Sequence, residues 1–403
     1  MYLSGKKILL GVTASVALYK ALDLIRLFKN EGATTTVVMT RGAKKCINPT
    51  VFAALSGNQV YFDEMPDDFS FPYAHLRLSE IHDIFIICPA TANILGKMAH
   101  GIADNLLTTI FLGNQKPVLI VPAMNYRMWS NPMVQENVTK LQKVGCVFIG
   151  PDRGELACGD YGEGRLADFS FLLFCTKKIF APQDFFGKRV LITGGPTQEP
   201  LDPVRHISSP SSGLMGFLLS EEALLRGADV TFIVGPSYIL GPSGSFQKHF
   251  IHYDKVRVVS IQTAHEMYFQ VKHFFPSSDI FISAASVSDY SLARSLKNKI
   301  KKDGKNRIFS LKENVDILKT IGKKKKKFQK IIGFALETEH GEFYAKKKMR
   351  EKKLDIIVLN GKESFGAESG CFTLFTSSCK KEIGNITKFE LARVLFDSLA
   401  SLS

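Results

Sequence analysis

The sequence lacks the features that mark a membrane protein or a disulfide-stapled exported one. Its 403 residues contain no uninterrupted apolar run near the ~18 residues that a membrane-spanning helix needs. Cysteines number seven, an odd count with no CxxC and no Cys/His metal spacing, which speaks against an oxidised disulfide framework. Acids are scarce, 38 against 52 bases, for a formal charge of +14. The shortage is local, because residues 297–353 hold 20 bases and 7 acids and so carry +13 of that charge. A protein basic all over, as a nucleic-acid coat would be, is excluded. A local anion site or a solvated basic loop remains.

What is present is ordinary for a globular chain: 45% hydrophobic and 22% charged residues, with 31 Gly and 16 Pro. Those proportions exclude disordered, collagenous and coiled-coil classes. At roughly 100–200 residues per domain, the length implies two or three domains. The start has two readings. Lys6 and Lys7 followed by apolar residues 8–18 have the outline of a signal peptide. The same residues also read as a strand, 7–12, turning into a helix over 17–27 whose apolar face is Leu18, Leu22, Ile25 and Leu27. With the odd thiol count, the second reading gives a cytoplasmic enzyme.

The first half repeats a strand–helix rhythm, with Val/Ile/Leu-rich runs at 8–12, 35–39, 84–88, 118–121 and 147–149. Such alternation implies a parallel sheet covered on both faces, with ligands taken by the loops after the strands. Residues 175–188 read as a last helix and a Pro-containing linker. A new strand at 189–193 then runs into Gly194 and Gly195, and strands at 229–234, 280–283, 331–334 and 356–359 follow. Helices are expected at 213–226 and 388–402. The expectation is α/β throughout: an N-terminal flavodoxin-like (Rossmann-like) parallel-sheet domain over 1–182 and a C-terminal Rossmann-like α/β domain over 188–403.

Residues 11–15 (GVTAS) open a helix with small residues and hydroxyls, which suits a phosphate or is simply a tight turn. The loop 89–93 (PATAN) has the same ambiguity. His75 lies in 71–78 (FPYAHLRL), and residues 122–129 (PAMNYRMW) contain the lone tryptophan. Cys158 sits in 157–165 (ACGDYGEGR), where three glycines follow it, so a flexible lid delivering a proton or thiolate is expected.

Together, His75 and the runs 89–93, 122–129 and 157–165 resemble the flavin-dependent cysteine decarboxylases. The second half carries 192–205 (ITGGPTQEPLDPVR), 211–216 (SSGLMG), 288–290 (SDY), 299–302 (KIKK) and 333–338 (GFALET). In order and spacing the whole chain resembles the bifunctional phosphopantothenoylcysteine decarboxylase / phosphopantothenate–cysteine ligases of coenzyme A synthesis.

For the first domain the resemblance implies FMN, lined by Thr13, Ser15, Thr40, Thr91 and Asn93. The substrate thiol is oxidised to a thioaldehyde, whose β-thiocarbonyl is the electron sink for decarboxylation. His75 then orients or deprotonates the substrate, Asn125 holds its carboxylate, and Cys158 protonates the enethiolate. For the second domain it implies CTP with Mg²⁺. The 4'-phosphopantothenate carboxylate attacks the α-phosphate to give an acyl-cytidylate, and cysteine displaces CMP. The matching positions are Ala285, Asp289, Lys299, Asn314, Val315, Asp316, Ile317, Phe334, Lys348 and Lys352. Asp289 is the metal or ribose partner and Lys299 meets the α-phosphate. The lysines at 323–327 read as a solvated turn.

The chain departs from the family pattern at Ser209 (Asn in the pattern), Leu214 (Lys), Val315 (Pro) and Ser286. The resemblance ties that Asn to turnover of the acyl-cytidylate, so Ser209 bears on the second half-reaction. It also implies a homo-oligomer acting on small molecules, with no nucleic-acid or membrane partner. Two alternatives remain: an active decarboxylase with a degenerate ligase, and a flavoprotein gripping nucleic acid through 297–353. The second lacks aromatic interleaving and any nucleic-acid motif.

Overall fold

Short β-branched and aliphatic runs form the centre of each half of the computed structural model, which describes residues 1–62, 74–237, 253–302, 306–336, 339–361 and 367–402. The chain divides into two compact units, Met1–Ala181 and Pro182–Ser403. In the first, β1 (Lys7–Val12), β2 (Thr34–Met39), β3 (Val60–Phe62), β4 (Ile84–Ala90), β5 (Val118–Pro122) and β6 (Val147–Phe148) form one sheet. All neighbours are parallel, in the order β3-β2-β1-β4-β5-β6. Every residue of β4 is buried, because both faces of the sheet are covered. Alternation divides the side chains between two cores: Ile8, Leu10 and Ile86 face one, Leu9, Phe85 and Ile87 the other.

The first crossover begins one turn later than the apolar pattern suggests. A 3₁₀ turn, Val16–Tyr19, is capped by the Ser15 side chain, and the α-helix runs Lys20–Asn30. Its buried residues, Ala21, Leu24, Ile25 and Phe28, keep the spacing of one helical face. A separate antiparallel hairpin, β7 (Asp152–Glu155) and β8 (Tyr161–Arg165), follows β6.

In the second unit β9 (Arg189–Gly194), β12 (Asp229–Val234), β13 (Val256–Ser260), β14 (Ile280–Ser283), β17 (Lys330–Leu336) and β18 (Ile356–Asn360) are parallel. Their order, β13-β12-β9-β14-β17-β18, repeats the first sheet's topology. Two antiparallel strands, β19 (Ser369–Thr376) and β20 (Lys380–Thr387), extend the edge. The closing helix is Lys388–Ala400, begun by a Thr387/Glu390 capping box. No helix among the described residues is long and apolar enough to cross a membrane.

A buried guanidinium ties this unit's first residues to its last helix. Arg226, with a side chain 2% exposed, donates to Asp184 Oδ1 at 2.8 Å and to Asp397 Oδ1 at 2.7 Å. It also lies 3.8 Å from the equally buried Glu222 and stacks over Phe185 at 5.0 Å. Removing one partner of such a network strands the others without compensation. Arg226→Met is expected to destabilise this unit by about 3–5 kcal/mol in denaturant unfolding. A loss below about 1 kcal/mol, the worth of a surface pair, would contradict the clamp.

Candidate functional site

In the first sheet, chain connections leave β1 and β4 in opposite directions, which opens a crevice beyond their C-terminal ends. The cleft there measures about 600 Å³, and Thr13, Ser15, Thr40, Thr91 and Asn93 all line it. Several of these hydroxyls are already engaged. The buried Thr13 donates from Oγ1 to the Pro89 carbonyl at 2.7 Å and accepts from the Thr91 N–H at 3.2 Å. Ser15 Oγ donates to the Ala123 carbonyl at 3.2 Å, and Thr40 Oγ1 accepts from the Ala43 N–H at 3.3 Å. Thr91 precedes the helix Ala92–Ala99 without a side-chain capping bond, so that helix's first amides face the cleft uncapped. A Cβ on Gly42 would come within 2.9 Å of Ala14 Cβ, so the loops after β1 and β2 meet with no room for a side chain. The sequence reading missed the rim, where Lys97 pairs with Asp104 at 2.5 Å; the bond from Lys97 holds the Asp104 carboxyl below its usual range.

Asn125 and Cys158 are brought together. Asn125 begins the short helix Tyr126–Trp129 and accepts there, through Oδ1, from the Arg127 N–H at 2.9 Å. That bond directs its amide NH₂ outward, to donate to Cys158 Sγ at 3.2 Å. Asp160 Oδ2 stands 3.5 Å from both groups. Asp160 went unnoticed in the sequence, although a carboxylate two residues beyond an exposed thiol was the available signal.

Two of the three glycines after Cys158, Gly162 and Gly164, have a packing reason where the sequence suggested flexibility, while Gly159 lies in open space at φ 84. A Cβ on Gly164 would lie 2.2 Å from the Met124 carbonyl, and one on Gly162 would lie 2.7 Å from Tyr126 Cβ. The hairpin β7–β8 therefore lies directly on residues 124–126, and Met124 N–H donates to the Gly164 carbonyl at 3.0 Å. Cys158 is exposed, whereas burial pushes the Cys146 and Cys175 thiols up to about 11 and about 12.

His75 is half-buried in the first turn of the helix Ala74–Ile81 and does not line the cleft. Its neighbours Phe71, Pro72 and Tyr73 lie outside the described residues. Along the same helix direction, buried His82 bonds to the Leu78 carbonyl and to Asn114 Oδ1 at 3.1 Å, a structural role. Burial lowers its pKa, against the opposing effect of these bonds.

The second cleft occupies the corresponding place, beyond the C-terminal ends of β9 and β14. It measures about 360 Å³, and Ala285, Asp289, Phe334 and Lys348 line it, with Leu214, Asn360, Phe372 and Lys388. Lys348 Nζ donates to the Phe334 carbonyl at 2.8 Å. The remaining expected positions stand back from this cleft. Asn314 braces the segment carrying Asp289, through its N–H to the Asp289 carbonyl at 2.7 Å and its side chain to the Ser288 carbonyl at 2.8 Å. Asp316 caps the helix Ile317–Gly322 and pairs with Lys352 Nζ at 2.8 Å. Burial works to raise the Asp316 pKa, but Lys352 and the capping bond bring it below the usual value. Val315 is exposed and Ile317 is buried in the core.

Lys299 is exposed on a loop fastened at the next residue, where the Ile300 N–H donates to Asp202 at 3.0 Å. That bond, with those from Val204 and Arg205, lowers the Asp202 pKa. Glu337 and Thr338 lie outside the described residues. The solvated-turn reading of lysines 323–327 needs correction at Lys325, which pairs with Asp355 at 2.6 Å and is 18% exposed. Ser209 Oγ is buried and has no hydrogen-bond partner among the described residues. Among the described residues no group of three or more His, Cys, Asp or Glu could hold a metal ion, and Asp289 is the one carboxylate lining the cleft.

Residues 2–180 match the family described as "Flavoprotein", and residues 185–402 match "DNA/pantothenate metabolism flavoprotein C-terminal domain". The chain is 37% identical over 409 residues to the coenzyme A biosynthesis bifunctional protein CoaBC of Bacillus subtilis (strain 168), covering 100% of this chain and 98% of that protein. The chain belongs to the CoaBC family. The Escherichia coli (strain K12) CoaBC is 35% identical over 409 residues, covering 100% of this chain and 98% of that protein. A crystal structure of the C-terminal domain of a CoaBC is 33% identical, covers 55% of this chain and 97% of its own, and superposes with a TM-score of 0.45.

In this CoaBC chain burial keeps the folded-state pKa of His82 below the ordinary value of 6.5, so unfolding takes up protons as pH falls through that value, and stability falls with it. Between about pH 7 and about pH 5.5 the denaturation midpoint of the first unit is expected to fall more steeply in the wild type than in His82→Gln. Parallel curves for the two proteins would contradict the assignment.

Proposed function

We propose that the chain makes 4'-phosphopantetheine in coenzyme A biosynthesis by two reactions, one in each unit. Residues 188–403 join cysteine to 4'-phosphopantothenate at the expense of CTP, and residues 1–182 decarboxylate the phosphopantothenoylcysteine. The observation that carries this reading is the Asn125–Cys158–Asp160 cluster beside a cleft lined by Met124 and Met128, within a chain of the CoaBC family.

The first cleft fits FMN: hydroxyls, the amides of Asn93 and Asn105 and apolar groups line it with Arg41 and the paired Lys97 and Asp104, and the uncapped first amides of the helix Ala92–Ala99 suit a phosphate. Thr13, Ser15, Thr40, Thr91 and Asn93 would hold it, and when bound it would take two electrons from the substrate thiol and give them back after decarboxylation, so that the product leaves as a thiol. Carbon dioxide then leaves because a β-thiocarbonyl accepts the electron pair left behind. With Oδ1 fixed by the Arg127 N–H, the Asn125 NH₂ stays directed outward, and its two N–H donors can meet Cys158 and the substrate carboxylate together. Cys158 holds the proton delivered to the enethiolate carbon, and Asp160 orients that thiol. His75 orients or deprotonates the substrate.

In the second unit the pantothenate carboxylate attacks the α-phosphorus, and a new C–O–P bond forms as pyrophosphate leaves. The cysteine amine then forms the amide bond as CMP departs. Lys348 and Lys299 would stabilise charge on the phosphates. One carboxylate, Asp289, is compatible with Mg²⁺ that arrives largely coordinated by substrate phosphates and water. We further assign the chain to the cytoplasm as a homo-oligomer without nucleic-acid or membrane partners, a reading supported by seven free cysteines.

The wild type, given 4'-phosphopantothenate, cysteine and CTP with Mg²⁺, is expected to release CMP, pyrophosphate, carbon dioxide and 4'-phosphopantetheine. Cys158→Ser should slow the decarboxylation at least about a hundredfold while CMP release continues. CMP release by the wild type with no phosphopantetheine would overturn the assignment of the first unit. Turnover of ready-made phosphopantothenoylcysteine, with no CMP released from CTP in the presence of 4'-phosphopantothenate and cysteine, would overturn the ligase assignment.

A further inference from the structure

Lys388, which the motif pattern does not include, lines the second cleft as the first residue of the helix Lys388–Ala400. A cation in a helix's first turn opposes the helix dipole, so the helix itself gains nothing from it. Helix initiation is handled without it, by the Thr387 and Glu390 capping box. The side chain is half-buried, and among the described residues no carboxylate pairs with it. Glu390 is bonded to Thr387, and Asp289, the one carboxylate lining the cleft among the described residues, makes no ion pair with it. Burial lowers its pKa with no opposing effect from an acid. An ammonium has three donors, and one held in a half-buried cleft without a counter-ion lacks a partner until an anion enters.

A second helix offers donors to the same space. Residues 211–215 line the cleft and lead into the helix Leu214–Leu225, whose N-cap, Gly213, lies at φ 81 and makes no side-chain capping bond. Leu214, where the family pattern has lysine, is the first residue of that helix and lines the same cleft as Lys388, and the two helices pack against each other. Lys348, the other lysine of the lining, directs its Nζ to the Phe334 carbonyl at 2.8 Å.

We propose that Lys388 is a substrate-binding residue of the ligase cleft, holding a phosphate oxygen of a ligase substrate and replacing, from the closing helix, the cation absent at Leu214. This rests on the ligase reading above. The ligand chemistry is a phosphate group, carried either by the nucleoside triphosphate or by the phosphorylated acid.

Calorimetric titration of the full-length protein with CTP and Mg²⁺, and separately with 4'-phosphopantothenate, distinguishes the two sources. Lys388→Met is expected to weaken whichever ligand Lys388 holds by roughly tenfold, the size of a charge-assisted hydrogen bond. Lys388→Arg should bind within about threefold of the wild type, and Leu214→Lys added to Lys388→Met should recover most of the loss. The recovery also separates lost contact from misfolding. Lys388→Met binding both ligands as the wild type does would overturn the proposal and leave the ligase reading intact. A double variant that binds no better than Lys388→Met would overturn the exchange between the two positions. A wild type that binds neither ligand would overturn the ligase reading, and Lys388 with it.

Discussion

Each unit depends on bracing the loops at the one place in a parallel sheet where successive connections depart to opposite faces. That gap between loops lies beyond the C-terminal ends of the paired strands β1 and β4 in the first unit and β9 and β14 in the second. Strand pairing alone does not shape the loops beyond it. In the first unit the Thr13 hydroxyl bridges them, donating to the Pro89 carbonyl and accepting from the Thr91 N–H. Thr197 has the equivalent task in the second: its N–H donates to the Ser286 carbonyl at 3.1 Å and its Oγ1 accepts from the Ser288 N–H at 3.0 Å. A buried threonine whose polar atoms are satisfied across the gap keeps the crevice open without a ligand.

On this shared frame the two clefts acquire different chemistry from what is added at their rims. The first gains a hairpin, laid so closely on residues 124–126 that two of its positions accept only glycine, and with it a thiol beside an amide and a carboxylate. The second gains the antiparallel strands β19 and β20, which bring Phe372 and the start of the closing helix to the cleft. Arg226 holds that helix in place through Asp397. Part of the concentrated positive charge of residues 297–353 is met locally. Lys325 pairs with Asp355, Lys346 with Glu342 and Lys352 with Asp316, while Lys348 lines the cleft.

The parallel strands were legible because each is a short, fully buried aliphatic run, as in residues 84–88 and 280–283. Strands β3, β13 and β19–β20 were not, being short, half-exposed or broken by polar residues such as those at 377–381. The five positions around the first cleft were legible through the resemblance, and all line it. The resemblance did not carry their bonding, since it cannot say whether a hydroxyl faces a ligand or a carbonyl. In the second unit the pattern led to Asn314, Asp316 and Lys352, which brace or pair with neighbours outside the cleft lining. Lys388 was invisible to it because its placement follows from the end of an edge strand, a tertiary relation with no local signature.

Both clefts are read as ligand sites on the same topological ground, and the first is the simpler to examine directly. The decisive measurement is the absorption spectrum of the purified full-length chain, followed by titration with FMN. The account predicts a flavin band that travels with the protein and saturates at one flavin for each chain. A colourless protein that takes up no FMN would contradict it.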